Sequence, residues 1–365
     1  MSDRSDLLDP TDETDLIAVI ASGLTVAHRL TSGGNPQAFR YPAALQRGLD
    51  RLTVHCLLAG ETPPAGVPDL LRWCTRPLGT WRPALGGSHV AEEVLLDAGV
   101  PTRACAEWAV ESADVETELV ENRLIAAVRA TGRPDTYTAF RTMLIREPVL
   151  TELEFEQRRT QVALRPVHDV LGECYRPATA EFRDGAEFVC CRDCRSLLLP
   201  DRGGLRCVDD RCPRRGAPRP GRRLAAVTGV RSLIAPMRLF VASPGRAELR
   251  LHEALRRTGV EVELWPALDA YDLRITLPNG QVWAVDVKDW SSPVRLARRL
   301  GPLRESPPWD RAFVVPAREA VAAVPAYLKT LRAHLGGRLR EWGLDVVSEH
   351  ELVRQVRRAA EQADA

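Results

Sequence analysis

The sequence predicts a chain in three parts: an all-α N-terminal region, a four-cysteine zinc ribbon, and a C-terminal three-layer α/β domain. Three observations predict this. Apolar residues recur at helical spacing from residue 12 to about 175. Five of nine cysteines cluster between Cys190 and Cys212. After Arg238, short apolar runs alternate with amphipathic ones, the pattern of a mixed sheet covered by helices. The domain ranges drawn from these changes are 1–175, 184–224 and 225–365. A length of 365 residues accommodates them, and 45% hydrophobic residues permit a sizeable core. Net charge is +1, so any nucleic-acid partner must be met by local patches. No apolar run approaches the roughly 20 residues of a membrane helix. The acidic start "MSDRSDLLDPTDETD" is unlike a signal peptide. A cytoplasmic protein with no membrane partner is the expectation.

Within the helical region, "TDLIAVIASGLTVAHRL" and "AALQRGLDRLTVHCLLAG" are helices, the second closed by Gly60. "SHVAEEVLLDAG" is predicted as a helix from a Ser88 cap to Gly99. "ADVETELVENRLIAAVRATG" and "DTYTAFRTMLIREP" follow as helices. "TELEFEQRRTQVAL" opens with the capping-box pattern Thr151 and Glu154. No repeat and no catalytic motif stands out here. His28, His55, His89 and His168 are isolated, as structural or solvent-facing histidines are. Cys56, Cys74, Cys105 and Cys174 are scattered and suit small buried hydrophobes.

The clustered cysteines differ. Cys191 and Cys194 form one C-x2-C knuckle. Cys207 and Cys212 form a second, with a "DRGG" turn between them. Two knuckles on a short hairpin offer the four thiolates a structural Zn²⁺ takes in a tetrahedron. Cys190 could replace Cys191, but the two-residue spacing favours Cys191. From Arg192 to Arg223, ten arginines face four aspartates. Arg211, Arg214, Arg215, Arg219, Arg222 and Arg223 could grip phosphates, or could form a solvated linker.

In the C-terminal part the predicted order is β-α-β-β-β-α-β-α-β-α. It runs from "RLFVA" as first strand, through the helix "PGRAELRLHEALRRTG", to a closing helix after "LDVVS". Near its middle, "VWAVDVKDW" sets Asp286 and Lys288 in an apolar strand. Buried charges need partners or a metal. Lys288 is also one of two lysines, against 48 arginines. A two-residue Asn279-Gly280 turn would set Leu273 opposite Asp286 and mix the faces, whereas pairing "DLRITL" with "QVWAVDVK" across a three-residue Pro278-Asn279-Gly280 loop explains the charges. That register places Leu273, Ile275, Leu277, Trp283, Val285 and Val287 on one face, and Asp272, Asp286 and Lys288 on the other. Two carboxylates suit Mg²⁺ or Mn²⁺, and a lysine beside them suits a phosphodiester.

Asp272, thirteen intervening residues, then Asp286-Val287-Lys288 resembles the PD-(D/E)xK superfamily of restriction-endonuclease-like nucleases, with "YD" where the family has "PD". The resemblance implies metal ligation by Asp272 and Asp286. It implies a helix acid, Glu248 with Glu253 as fallback, that assists as a metal ligand or base-orienting group, and a catalytic role for Lys288. More narrowly, helical region, ribbon, "ELWPALDAYDLRI" and "VWAVDVKDW" together resemble the restriction-endonuclease-like protein that accompanies prokaryotic PIWI-RE proteins in defence loci. This implies DNA as substrate, with a PIWI-RE protein and a DinG-type helicase as functional partners. A single site cuts one strand, so duplex cleavage calls for a homodimer or two nicks. The expected function is a metal-dependent DNA endonuclease; the alternative is a non-catalytic DNA-binding adaptor on the same fold. RNA as substrate stays open.

Overall fold

The computed structural model describes residues 10–32, 41–85, 90–97, 99–111, 120–201, 203–209, 212 and 217–363. They form two compact units, Met1–Glu118 and Leu119–Ala365.

The first unit is helical. Helices Pro10–Ser32, Ala43–Ala59, Val67–Cys74 and Arg103–Glu111 enclose a core that includes Ile17, Leu45, Trp81 and Trp108, with Cys56, Cys74 and Cys105 buried among them. The helix expected over residues 88–99 is not formed. Ser88 lies outside the described residues. Beyond it the chain turns, and Leu96–Asp97 pairs antiparallel with Val100–Pro101. Tertiary hydrogen bonds take the place of the helical ladder here. Leu78 and Gly79 donate to the carbonyls of Glu93 and Ala91, and Leu95 donates to Cys74. Leu95 and Leu96 are then free to enter the core.

In the second unit, helices Val120–Arg129, Pro134–Arg146, Glu152–Arg159 and His168–Cys174 come first. The capping box at Thr151 and Glu154 is present in both directions. Strand Val230–Leu233 pairs with Val149–Thr151 on one side and Tyr175–Pro177 on the other. The cysteine segment contributes strand Glu187–Cys191, paired with Pro220–Ala225, and the hairpin Leu198–Asp201/Gly204–Cys207.

The C-terminal sheet has five strands in sequential order: β1 Glu261–Leu264, β2 Leu273–Thr276, β3 Val282–Lys288, β4 Arg311–Pro316 and β5 Leu344–Val346. β1, β2 and β3 are antiparallel; β3, β4 and β5 are parallel. Helices Ser243–Arg256 and Glu349–Ala363 cover one face through Leu251, Leu255, Leu352 and Val356. Helices Pro293–Arg299 and Tyr327–Leu335 cover the other through Leu296, Tyr327 and Leu331. Three layers result, as expected.

The sheet lacks the first strand that was expected. "RLFVA" is a π-helical stretch, Arg238–Ala242, that runs on from a short helical turn into helix Ser243–Arg256. Pro244 has no N–H to give to the preceding turn, and a proline gap in the helical ladder favours wider turns. A short apolar run does not distinguish strand from buried helix by composition. Here Val241 and Ala242 pack with Phe140, Leu144 and Ile145, so the helical form buries them.

Helices Pro134–Arg146 and Ser243–Arg256 cross closely at Gly245. A Cβ added there would meet Ile145 Cγ1 at 2.5 Å. Ile145 is itself buried, with little room to move. Gly245→Val should overpack the crossing and destabilise the second unit by about 1–3 kcal/mol. This exceeds the roughly 0.5 kcal/mol gained by removing a helix glycine. Thermal denaturation checks it: an unchanged or raised melting temperature contradicts the close approach.

Candidate active site and cysteine centre

The β2–β3 hairpin has the three-residue register. Leu273 faces Val285 and Ile275 faces Trp283; Leu277 N–H donates to the Gln281 carbonyl at 2.9 Å. Gly280 takes φ +84°, the left-handed position that the loop needs. The six expected apolar residues all lie in the core beneath helix Ser243–Arg256. The paired register ends at Leu273 opposite Val285; just before it the Asp272 N–H donates to the same Val285 carbonyl at 3.1 Å, so Asp272 enters the hairpin out of step, beside β3.

Asp272 is 8% exposed. Its Oδ2 accepts the Val287 N–H at 2.6 Å, which ties the carboxylate to the backbone between Asp286 and Lys288. Burial pushes the Asp272 carboxyl well above the usual range. The charges of Glu248, Asp286 and Asp269 push it further, with Lys288 opposing. Lys288 Nζ reaches Asp286 Oδ1 and Oδ2, each at 2.8 Å. Burial would lower the lysine pKa, but Asp286 and Asp272 outweigh it and hold the ammonium charged. Asp272, Asp286 and Lys288 thus meet as one polar group at the end of an apolar strand.

Glu248 approaches from the covering helix and is 3% exposed. Both its oxygens are engaged: Arg141 Nη2 donates to Oε1 at 3.0 Å and Oε2 at 2.9 Å, and Trp265 Nε1 donates to Oε2 at 2.6 Å. Burial pushes the Glu248 carboxyl up, and the Arg141 charge opposes it. Glu253, the other candidate, sits at the surface and pairs with Arg146 at 3.3 Å. Geometry therefore favours Glu248 over Glu253 as the acid near Asp272.

Sequence reasoning missed Arg141 and Asp269. Arg141 Nη1 donates to Asp269 Oδ1 at 2.7 Å, and its guanidinium lies 4.6 Å from the centre of the Trp265 ring. Asp269 also accepts from Arg129 at 2.6 Å and from the Tyr137 hydroxyl at 2.9 Å. The turn carrying Asp269 is strained. Trp265, Ala267, Leu268 and Asp269, none of them glycine, have φ between 48° and 78°. Such positions each cost of order 1–3 kcal/mol and persist where surroundings over-determine them. No local sequence signal marks Arg141, which stands 107 residues before Glu248.

Asp272 and Asp286 offer oxygen donors of the hard kind that Mg²⁺ takes. Glu248, Asp272 and Asp286 do not converge as one ligand set: among the described residues, the group of three or more side chains that could hold a metal ion is that of the four cysteines. Glu248 can join such a cation only by loosening its hold on Arg141.

At the ribbon, the sulfurs of Cys191, Cys194, Cys207 and Cys212 all lie within 4.8 Å of one another, and all four residues are buried. Cys190 points instead into a neighbouring apolar cluster with Phe188 and Leu224. Four convergent thiols can hold a metal, and softness and geometry suit Zn²⁺. Of the six arginines, Arg211, Arg214 and Arg215 lie outside the described residues. Arg219 pairs with Asp193, Arg222 with Glu154 at 2.6 Å, and Arg223 with Glu187 at 2.9 Å.

A cleft of about 390 Å³ opens between residues 193–195 of the ribbon, one side of helix Ser243–Arg256, and Asp289 and Ala317 just past β3 and β4. Arg146, Arg195, Arg246, Arg250 and Arg318 line it. Among the described residues no helix is long and apolar enough to cross a membrane.

The five-stranded mixed sheet lies between two helical layers, and comparison with known families places its stretch of chain. Residues 245–364 match the family described as REase associating with pPIWI_RE. Residues 16–151 match the pPIWI_RE three-gene island domain Y. The chain therefore carries a restriction-endonuclease-like domain and is associated with PIWI-RE loci. Neither the search of curated proteins nor that of solved structures returned a match.

If the four thiols hold structural zinc, elemental analysis of protein purified without chelator should give one zinc per chain. Cys194→Ser should then release the metal and raise protease sensitivity across residues 187–225, leaving the helical first unit intact by circular dichroism. Metal-free wild type with an undisturbed ribbon overturns this.

Proposed function

We propose that this chain is a metal-dependent DNA endonuclease of a PIWI-RE defence system that hydrolyses phosphodiester bonds. The observation that supports the reading is the bond from the Val287 N–H to the Asp272 carboxylate, beside the Lys288–Asp286 pair on the same strand. Asp272 and Asp286 would hold Mg²⁺ or Mn²⁺, which supplies Lewis-acid polarisation of the phosphate and acidifies a water. Lys288, already charged, exchanges its contact with Asp286 for the attacked phosphate and offsets its developing negative charge. Glu248 sets the acidic environment from the facing helix. Five arginines in the cleft beside the ribbon, alongside Asp193, Glu253, Asp289 and Glu319, would offer contacts to a nucleic-acid backbone. A PIWI-RE protein and a DinG-type helicase would deliver the substrate, and a homodimer or two nicks would sever a duplex.

Plasmid nicking with Mg²⁺ or Mn²⁺ tests the reading. Asp286→Asn should lose metal affinity and nicking together, because an amide is a poorer, neutral ligand. Lys288→Ala should keep metal binding but lose about a hundredfold in rate, equivalent to roughly 3 kcal/mol. Lys288→Arg should recover only part, since a planar fork replaces a compact ammonium. Both lysine variants should bind DNA as wild type does. Wild type inert on duplex, single-stranded and branched DNA, with its partners supplied, decides for a non-catalytic DNA-binding adaptor. Cleavage confined to RNA would change the substrate and leave the chemistry.

A further inference from the structure

We propose that Arg141 is a positioning residue of the site, through which the helices upstream of the ribbon set the Asp272 carboxylate. Arg141 lies within the stretch matching domain Y, whereas Glu248, Asp272, Asp286 and Lys288 lie within the restriction-endonuclease-like match. The site is thus assembled from both matched stretches.

Three contacts make the connection. The Arg141 fork takes both oxygens of Glu248 with one nitrogen and Asp269 with the other. Its guanidinium carbon lies over the Trp265 ring, 4.6 Å from the centre, and the indole N–H of that ring is spent on Glu248. Trp265 N–H in turn donates to the Asp272 carbonyl at 2.8 Å, closing the strained turn on the very residue whose carboxylate meets Val287. Arg129 adds a second hold, donating to the Leu268 carbonyl at 3.0 Å and to Asp269. Left-handed φ values at four non-glycine residues do not persist without such external clamps. Helix Pro134–Arg146 supplies Arg141 and Tyr137, and helix Val120–Arg129 supplies Arg129. Lysine cannot substitute for Arg141, because it lacks the planar fork that serves two carboxylates and a ring at once. With Arg141 in place, Glu248 is anchored as a counter-ion and the turn keeps Asp272 beside β3; without it, both are released.

The rate part of this inference rests on the nuclease reading; the conformational part does not. Full-length wild type, Arg141→Lys and Arg141→Gln would be compared by hydrogen exchange, Mn²⁺ calorimetry and plasmid nicking. In Arg141→Lys, amides of residues 265–272 should exchange about tenfold faster, while the β2–β3 loop end and the ribbon strands exchange as in wild type. Mn²⁺ affinity should fall about fivefold or more. Turnover should fall about tenfold or more with KM for DNA within about twofold. A contact that only stabilises the fold would lower the melting temperature and leave Mn²⁺ affinity and the turnover-to-KM split unmoved; that result overturns the proposal. Wild-type exchange at residues 265–272 in Arg141→Lys also overturns it. If Arg141→Gln does not fold, Arg141→Lys decides. If wild type does not nick DNA, the nuclease reading falls, and exchange at residues 265–272 still decides the role of Arg141.

Discussion

The pairing of β2 with β3 is the constraint on which the rest of the C-terminal domain depends. Side chains alternate along a strand, so shifting β2 by one residue against β3 would turn Leu273 and Ile275 out of the core. Leu273, Ile275, Leu277, Trp283, Val285 and Val287, all in one core, enforce that alignment. The Val287 N–H bond to Asp272 fixes the carboxylate at the end of that alignment. Core packing and the polar site do not compete here, because one register satisfies both.

Burying several charges beside that core is tolerable because each is answered. Glu248 has Arg141 and Trp265, Asp269 has Arg141, Arg129 and Tyr137, and Asp286 has Lys288. Pairs of this kind seldom add net stability over an apolar core, but removing one partner is severe. Asp272 accepts the Val287 N–H, and burial, with the charges of Glu248, Asp286 and Asp269, pushes its carboxyl well above the ordinary range against the opposing charge of Lys288.

Much of this could be read in the chain before any coordinates, and the reasons differ by element. The hairpin was legible because Pro278-Asn279-Gly280 and strict alternation specify one register. The cysteine centre was legible because two knuckles at short spacing leave few arrangements. Residues 88–99 misled because their helical spacing is real but their backbone bonds go to distant partners. "RLFVA" misled because a buried helix and a buried strand look alike over five residues. Arg141 was invisible: its acidic partners Glu248 and Asp269 are more than a hundred residues away, and one arginine among 48 carries no mark.

The close crossing of helices Pro134–Arg146 and Ser243–Arg256 also sets what can be separated. Excising residues 245–364 would cut between Pro244 and Gly245 and take away Ile145, which fills the groove over that glycine. Leu249 and Trp265 would lose their packing partners. Glu248 would keep its burial-born need for a counter-charge but lose the guanidinium that meets it. The boundaries recognised by sequence similarity therefore cut through packed and ion-paired contacts, and grafting the restriction-endonuclease-like stretch with those contacts intact means carrying helix Pro134–Arg146 with it.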